Sequence, residues 1–440
     1  MKNKQLFRDF AKYSSLNVLG MIGLSCYILA DTFFVSKGLG TSGLAALTLA
    51  IPIYSFIHGI GLMLGMGGAT KYAITTSQGK RNDANKFFTN TTMMGAICAL
   101  IFVLVGIFLS KQITGLLGAD ASVFEMTDTY LKVLLLFSPA FIFNDILICF
   151  VRNDGNPKLS MLGMLGGSLS NILLDYIFIF PMNMDIFGAV FATGLAPIIS
   201  IAILSPHLIK KDERFRLVKT KPSFAITKFI LALGFPSLIT EVASGLVIIV
   251  FNVIILNLQG NVGVAAYGIV ANLSLVLVAI YTGMAQGVQP LISNAHGVDA
   301  SHEGRTLFRY SIVAMVLLSC VTYALTFFGA DWIAQIFNSE SSQQLQDIAT
   351  YGLKLYFTAL PFVGFNIIVS VFFTSTESPL PAHLVSLLRG LVIIIPVAFL
   401  LSTLWGLTGV WLSFPVTEIL VSFVGFFIYI KLSKKQLEKE

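Results

Sequence analysis

Five carboxylates, Asp31, Asp145, Asp175, Glu241 and Glu418, stand inside strongly apolar stretches of the chain. A charge at the centre of a membrane helix costs about 2.5–3.5 kcal/mol on insertion scales, so such acids face an interior or a wet cavity and serve function by default. Asp31, in "YILADTFFVSK", lies six residues before Lys37. Asp175, in "SNILLDYIFIFP", lies six residues before Pro181. At a helical rise of about 1.5 Å per residue, each sits about 9 Å below the outer end of its helix. Thr193 falls at a similar depth, about 10 Å from a helix start near Ile186. Asn171 precedes Asp175 by one helical turn and shares its face. Two carboxylates, an amide oxygen and a hydroxyl form an oxygen-lined pocket suited to a hard cation such as Na⁺. A proton is the alternative ligand, because two acids in one buried site resist being ionised together. The residues leave the choice between Na⁺ and H⁺ open.

The elements that must position these groups are membrane helices. Of the 440 residues, 56% are hydrophobic and 11% charged, which is too little charge for a soluble globular chain of this length. Twelve apolar stretches are each long enough to cross a bilayer: about 10–35, 44–70, 88–110, 130–151, 159–180, 186–209, 226–257, 264–290, 308–328, 351–373, 382–402 and 407–430. The basic residues test that count independently. With both termini in the cytoplasm, the inner segments collect Arg8, Lys12, Lys80, Arg81, Arg152, Lys158, the cluster Lys210 to Lys228, and the C-terminal lysines. The outer loops receive Lys37, Lys111, Lys132 and Lys354. This follows the positive-inside rule. The net charge of +6 is therefore a topology signal, and nucleic acid is not an expected partner. The four cysteines lie in apolar segments without metal or disulfide spacing.

The chain is written twice. "GLAALTLAIPIYSFIHGIGLMLGMGG" (43–68) aligns without a gap with "GVAAYGIVANLSLVLVAIYTGMAQGV" (263–288). "YLKVLLLFSPAFIFND" (130–145) matches "GLKLYFTALPFVGFNI" (352–367), pairing Pro139 with Pro361 and Asn144 with Asn366. The expected architecture is an all-α membrane protein, with twelve transmembrane helices in two six-helix pseudo-symmetric bundles around a central cleft. Its divisions are an N-terminal lobe (1–209), a basic cytoplasmic linker (210–224) and a C-terminal lobe (225–440). Gly61-xxx-Gly65 and Gly163-xxx-Gly167 supply small faces for close helix approach.

In the second half, Glu241 and Glu418 fall near mid-membrane, and Arg389 is deep enough to pair with either. A structural ion pair and a substrate or coupling site are both open for them. Asp145 lies near Arg152, where a structural role is expected. His58 stands alone on an apolar helix and reads as packing.

With these features in place, the chain resembles the multidrug and toxic compound extrusion (MATE) family. The resemblance rests on the twelve spans in two repeats together with "ADTFFVSKGLG", "FVRNDGNPK", "NILLDYIFIF", "GFPSLITEVASG" and "YTGMAQGVQPLIS". The pattern looks like the bacterial branch around the MepA-like exporters and covers nearly the whole chain. It implies a secondary antiporter in the bacterial plasma membrane that expels organic, often cationic and amphipathic compounds against Na⁺ or H⁺ re-entry by alternating access. It implies no enzyme activity, no cofactor beyond the coupling ion, and a monomer in the lipid bilayer. The family's cation site carries over onto Asp31, Asn171, Asp175 and Thr193, and the resemblance adds the backbone carbonyl of Ala189. A second family site in the C-lobe maps loosely onto Glu241, while the tenth apolar stretch (351–373) offers Asn366 where some relatives have an acid. Abundant Phe (37) and Met (13) suit a pliable apolar cavity.

Other classes make different demands. A flippase for a lipid-linked precursor needs several inward basic residues, and only Arg389 is deep. A membrane-embedded enzyme is disfavoured, because no HExxH, GxSxG or paired-histidine pattern occurs. A channel would conduct without a counter-gradient.

Overall fold

The computed structural model describes residues 2–209, 214–338 and 342–437, and among these every regular element is helical. In chain order they are α1 (Lys2–Ser77), α2 (Arg81–Phe108), α3 (Ser110–Leu116), α4 (Phe124–Leu136), α5 (Ser138–Asn153), α6 (Pro157–Ile179), α7 (Asp185–Leu204) and α8 (Pro206–Ile209). The second half follows with α9 (Phe224–Gly297), α10 (Ser301–Phe337), α11 (Gln343–Tyr356), α12 (Leu360–Ser375), α13 (Pro379–Leu387) and α14 (Ile394–Leu437).

Three of these helices are too long to be single spans, and each is divided at a glycine. α1 breaks at Gly40 (φ 64°, ψ −155°) and α9 at Gly260 (φ 64°, ψ −157°). That backbone region is essentially closed to a residue with a Cβ. The two glycines are equivalent positions of the repeat, so both halves turn their first pair of helices by the same device. α14 breaks likewise at Trp405–Gly406. α4 and α5 form one span bent by 48° ahead of Pro139. α11 and α12 join through a short 3₁₀ turn (Phe357–Ala359) ahead of Pro361. Proline cannot donate the helical hydrogen bond, which explains a break at both places. Counted across these breaks, the described residues form the twelve spans that the hydropathy predicts.

The helices group into two compact units: Ala11–Val242 with Ser293–Ser301, and Met1–Phe10 with Ala243–Ile292 and His302–Glu440. Within the first, α6 packs closely on α7. A methyl placed on Gly167 would lie 3.2 Å from the Ala196 carbonyl oxygen, and one on Gly163 would lie 2.9 Å from Leu204. Gly163, Gly167, Asn171 and Asp175 recur every fourth residue along one face. The two glycines bring the helices together, and the next two turns of the same face carry polar groups.

Of the linker expected at 210–224, residues 210–213 lie outside the described set. The rest lies along the first unit. Phe215 is buried against Phe88, with ring centroids 4.5 Å apart. The backbone N–H groups of Arg216, Val218 and Ser223 donate to Asn85 Oδ1 (3.2 Å), Thr89 Oγ1 (3.0 Å) and Asn90 Oδ1 (3.0 Å) of α2. In the second unit the largest buried side chain is Trp411, which lies on Gly352: a methyl there would come within 3.0 Å of the indole.

Candidate cation-coupling site

Asp31 on α1 and Asp175 on α6 come together in the first unit, their carboxyl groups within hydrogen-bond reach of each other. Both are buried, Asp175 completely. A hydrogen bond between two carboxyl groups requires a proton on one of them, since a carboxylate only accepts. In the orientation that satisfies both its ends, the Asn171 amide donates to Asp175 Oδ2 at 3.0 Å and accepts from the Thr193 N–H at 3.3 Å. The Thr193 hydroxyl donates to the Ala189 carbonyl at 3.0 Å. All five groups singled out for the N-terminal half therefore meet in one place.

Two tyrosines complete the neighbourhood. Tyr130, buried on α4, is hydrogen-bonded to Thr193 and lies close enough to Asp31 and Asp175 to feel their charges. Tyr27, one turn before Asp31 on α1, shares a 2.7 Å hydrogen bond with Tyr54. Neither was legible in the sequence, where a tyrosine in an apolar helix carries no mark of what it faces. The one available signal for Tyr27 is its spacing of four residues from Asp31.

The donor set fits a monovalent cation or a proton. Asp31 Oδ1 and Asp175 Oδ1 are buried and without a hydrogen-bond partner, and among the described residues neither acid is paired with a Lys, Arg or His. Buried polar groups are ordinarily satisfied, so these two oxygens are open to a ligand. Two carboxyl groups among neutral oxygens suit a hard monovalent cation better than a transition metal, which favours nitrogen or sulfur ligands.

Asp145 and His58 form a separate pair. His58 Nδ1 lies 2.9 Å from Asp145 Oδ2, and the imidazole stacks on Tyr54 at 5.9 Å. The sequence places Asp145 beside Arg152 and treats His58 as packing. In the structure Arg152 is wholly buried and donates to Asn17 Oδ1 at 2.7 Å, and the histidine is what answers Asp145. Glu241 also belongs to this unit: a methyl on Gly59, next to His58, would lie 3.3 Å from Glu241 Cβ. It falls in a different unit from Asn366, Arg389 and Glu418.

Those three, Asn366, Arg389 and Glu418, meet in the second unit. Arg389 Nε donates to Glu418 Oε1 at 2.6 Å, and Asn366 Nδ2 donates to Glu418 Oε2 at 2.7 Å. Ser422 then donates to Asn366 Oδ1 at 3.1 Å. Both oxygens of the Glu418 carboxylate are thus committed, unlike those of Asp31 and Asp175.

Comparison with known proteins gives these features a family. The MatE family model matches residues 18–177 and 236–400, one segment in each half. The chain belongs to the MatE family. Among curated relatives, the multidrug export protein MepA of Staphylococcus saprophyticus is 28% identical over 439 residues, covering 97% of this chain and 96% of that protein. MepA of Staphylococcus aureus is 27% identical over 441 residues with the same coverage. Among solved structures, a MATE transporter in complex with MaL6 superposes with TM-score 0.92 at 24% identity, over the full length of both chains. A multidrug resistance MATE transporter in an outward-facing conformation superposes with TM-score 0.89 at 24% identity, covering 100% of this chain and 99% of the other.

Proposed function

We infer that the chain is a multidrug efflux antiporter, exporting organic, often cationic and amphipathic compounds in exchange for Na⁺ or H⁺ through alternating access. The family membership and the likeness to MepA support export. The observation that carries the coupling role is the Asp31–Asp175 pair, with two buried carboxylate oxygens that no protein group satisfies.

Each residue then has a definite task. Asp31 and Asp175 supply the charge that draws the cation. Asn171 and Thr193 hold the geometry from α6 and α7, with the Ala189 carbonyl beside them. Tyr130 fixes the Thr193 hydroxyl. An ion arriving here cancels a charge that is expensive in a low-dielectric interior, so loaded and empty forms differ in the free energy of burying the site. That difference lets an ion gradient bias a conformational equilibrium. In the proton mode one carboxyl group of the pair carries the proton. In the Na⁺ mode the two unpartnered oxygens and the neutral ones surround the ion.

The test is reconstitution in liposomes with a cationic dye, imposing inward Na⁺ and pH gradients separately. One of the two drives export. Asp31→Asn and Asp175→Asn each abolish driven export while purification yield stays normal. Undiminished transport in both variants would remove the pair from the coupling role. A lipid-linked flippase gains no support, because the deep guanidinium of Arg389 is already engaged by Glu418.

A further inference from the structure

One end of the second unit gathers basic side chains that its acids do not match. α1 and α10 start there and α14 finishes there, and aromatic contacts hold the three at one level. Phe7 meets Tyr310 edge-on at 5.5 Å, Phe10 lies 5.9 Å from Tyr310, and Phe308 stacks on Tyr429 at 4.5 Å. Phe10 and Phe308 are buried, so this aromatic layer belongs to the packed core of the unit. Each helix end carries two bases one turn apart: Lys4 and Arg8, Arg305 and Arg309, Lys431 and Lys434. Residues at that spacing share a helix face. All six lie within five residues of the aromatic contacts, or about 8 Å along a helix.

Few acids answer them. On these three helix ends the described acids are Asp9, whose carboxylate the Gln5 amide holds at 3.1 Å, and Glu303. Lys4, Arg8, Arg309, Lys431 and Lys434 are exposed, and among the described residues none of the five forms an ion pair. The apolar run of α10 begins near Phe308, which puts Arg305 and Arg309 at the edge of the hydrocarbon, where headgroups lie. Phe7, between Lys4 and Arg8 in sequence, keeps 55% of its surface exposed. An exposed ring flanked by bases is suited to the boundary between acyl chains and phosphates.

We propose that this end of the second unit binds an anionic phospholipid, with the phosphate among Arg8, Arg309 and Lys431 and an acyl chain along Phe7. Clusters of bases beside membrane helices recognise such headgroups by charge. The two guanidinium forks can each grip a phosphodiester through paired N–H donors, and the lysines add point charges. The lipid then ties together three helices that are far apart in the sequence. The binding surface is separate from the Asp31–Asp175 site, and its test needs no transport.

Purified protein in a neutral detergent is titrated against fluorescent phosphatidylglycerol or phosphatidylcholine with the same acyl chains, and binding is read by anisotropy. Phosphatidylglycerol should bind about tenfold tighter or more, and the preference should shrink as ionic strength rises. Arg8→Gln and Arg309→Gln should each weaken phosphatidylglycerol about fivefold, and together more than either alone, with phosphatidylcholine unchanged within about a factor of two. Lys219→Gln with Lys221→Gln removes the same charge from exposed positions of the first unit, and should leave the affinity within about a factor of two. An equal loss in that control, no loss in the arginine variants, or no preference between the two lipids overturns the proposal. If the arginine double variant does not fold, Lys4→Gln with Lys434→Gln is read in the same way. Displacement of the lipid by an equal concentration of sn-glycerol 3-phosphate assigns the bases to a soluble phosphate and defeats the proposal.

Discussion

Asp31, Asp175 and Asp145 are all buried acids of one unit, and what separates them is the group that answers each charge. His58 Nδ1 lies 2.9 Å from Asp145 Oδ2, whereas among the described residues Asp31 and Asp175 face each other with no basic side chain on either. Breaking a buried pair from one side costs about 3–5 kcal/mol, while replacing both members by apolar groups of similar volume is often nearly neutral. Asp145→Asn should therefore lower the melting temperature of purified protein, and His58→Phe with Asp145→Leu should recover most of the loss. Ion-driven export should persist in the double variant, because the Asp31–Asp175 pair is untouched. Tyr130→Phe removes one hydrogen bond to Thr193, worth about 1 kcal/mol net, so half-maximal export should need about fivefold more coupling ion. A titration of export against ion concentration checks this. The acids were legible in the sequence because charge in an apolar run is itself the signal, and depth is a linear count. His58 was not, since its partner is on another helix and no periodicity says which faces meet.

At the scale of elements, the site depends on how closely α6 lies against α7. The ladder Gly163, Gly167, Asn171, Asp175 couples small residues to functional ones on a single face. Gly167→Leu would drive a side chain into the Ala196 carbonyl and Ser200. Overpacking of this kind costs about 1–3 kcal/mol, and here it also lifts Asn171 away from Thr193. The expected outcome is lower thermal stability together with weaker ion dependence of export. At the first break, Gly40→Ala should cost about 1–3 kcal/mol without touching any side-chain contact, since nothing lies within 4 Å of the added methyl. A stability loss from pure backbone strain there would be matched by Gly260→Ala. The apolar runs marked where helices cross the membrane. They did not show that helices continue well beyond them, as α10 does at 37 residues, because polar residues extend a helix once it has left the hydrocarbon.

Over the whole molecule, the duplication is exact enough to place twin glycines at nearly identical backbone angles, yet the charges are not duplicated. The position equivalent to Asp31 is Phe251, which is buried. Among the described residues of the second unit the fully buried acid is Glu418, and both its oxygens are engaged. If the Asp31–Asp175 pair is the coupling site as proposed, export should depend on coupling-ion concentration with a Hill coefficient of about 1. A coefficient near 2 would require a second responsive site. The repeat was legible in the sequence because glycine and proline punctuate both halves at matching intervals. The divergence at Arg389 was legible only as a charge, and its pairing with Glu418 emerged when the helices were placed.

The strap formed by residues 214–223 has a consequence for how the chain is built. Synthesis is vectorial, so Asn85, Thr89 and Asn90 are in place on α2 before Arg216, Val218 and Ser223 exist. Ser223 then caps α9 by accepting from the Ile226 N–H at 3.5 Å, while its own N–H is already held by Asn90. The second repeat thus starts from a point measured out on the first, and an error in seating α2 would be inherited as a shift in where the later helices begin.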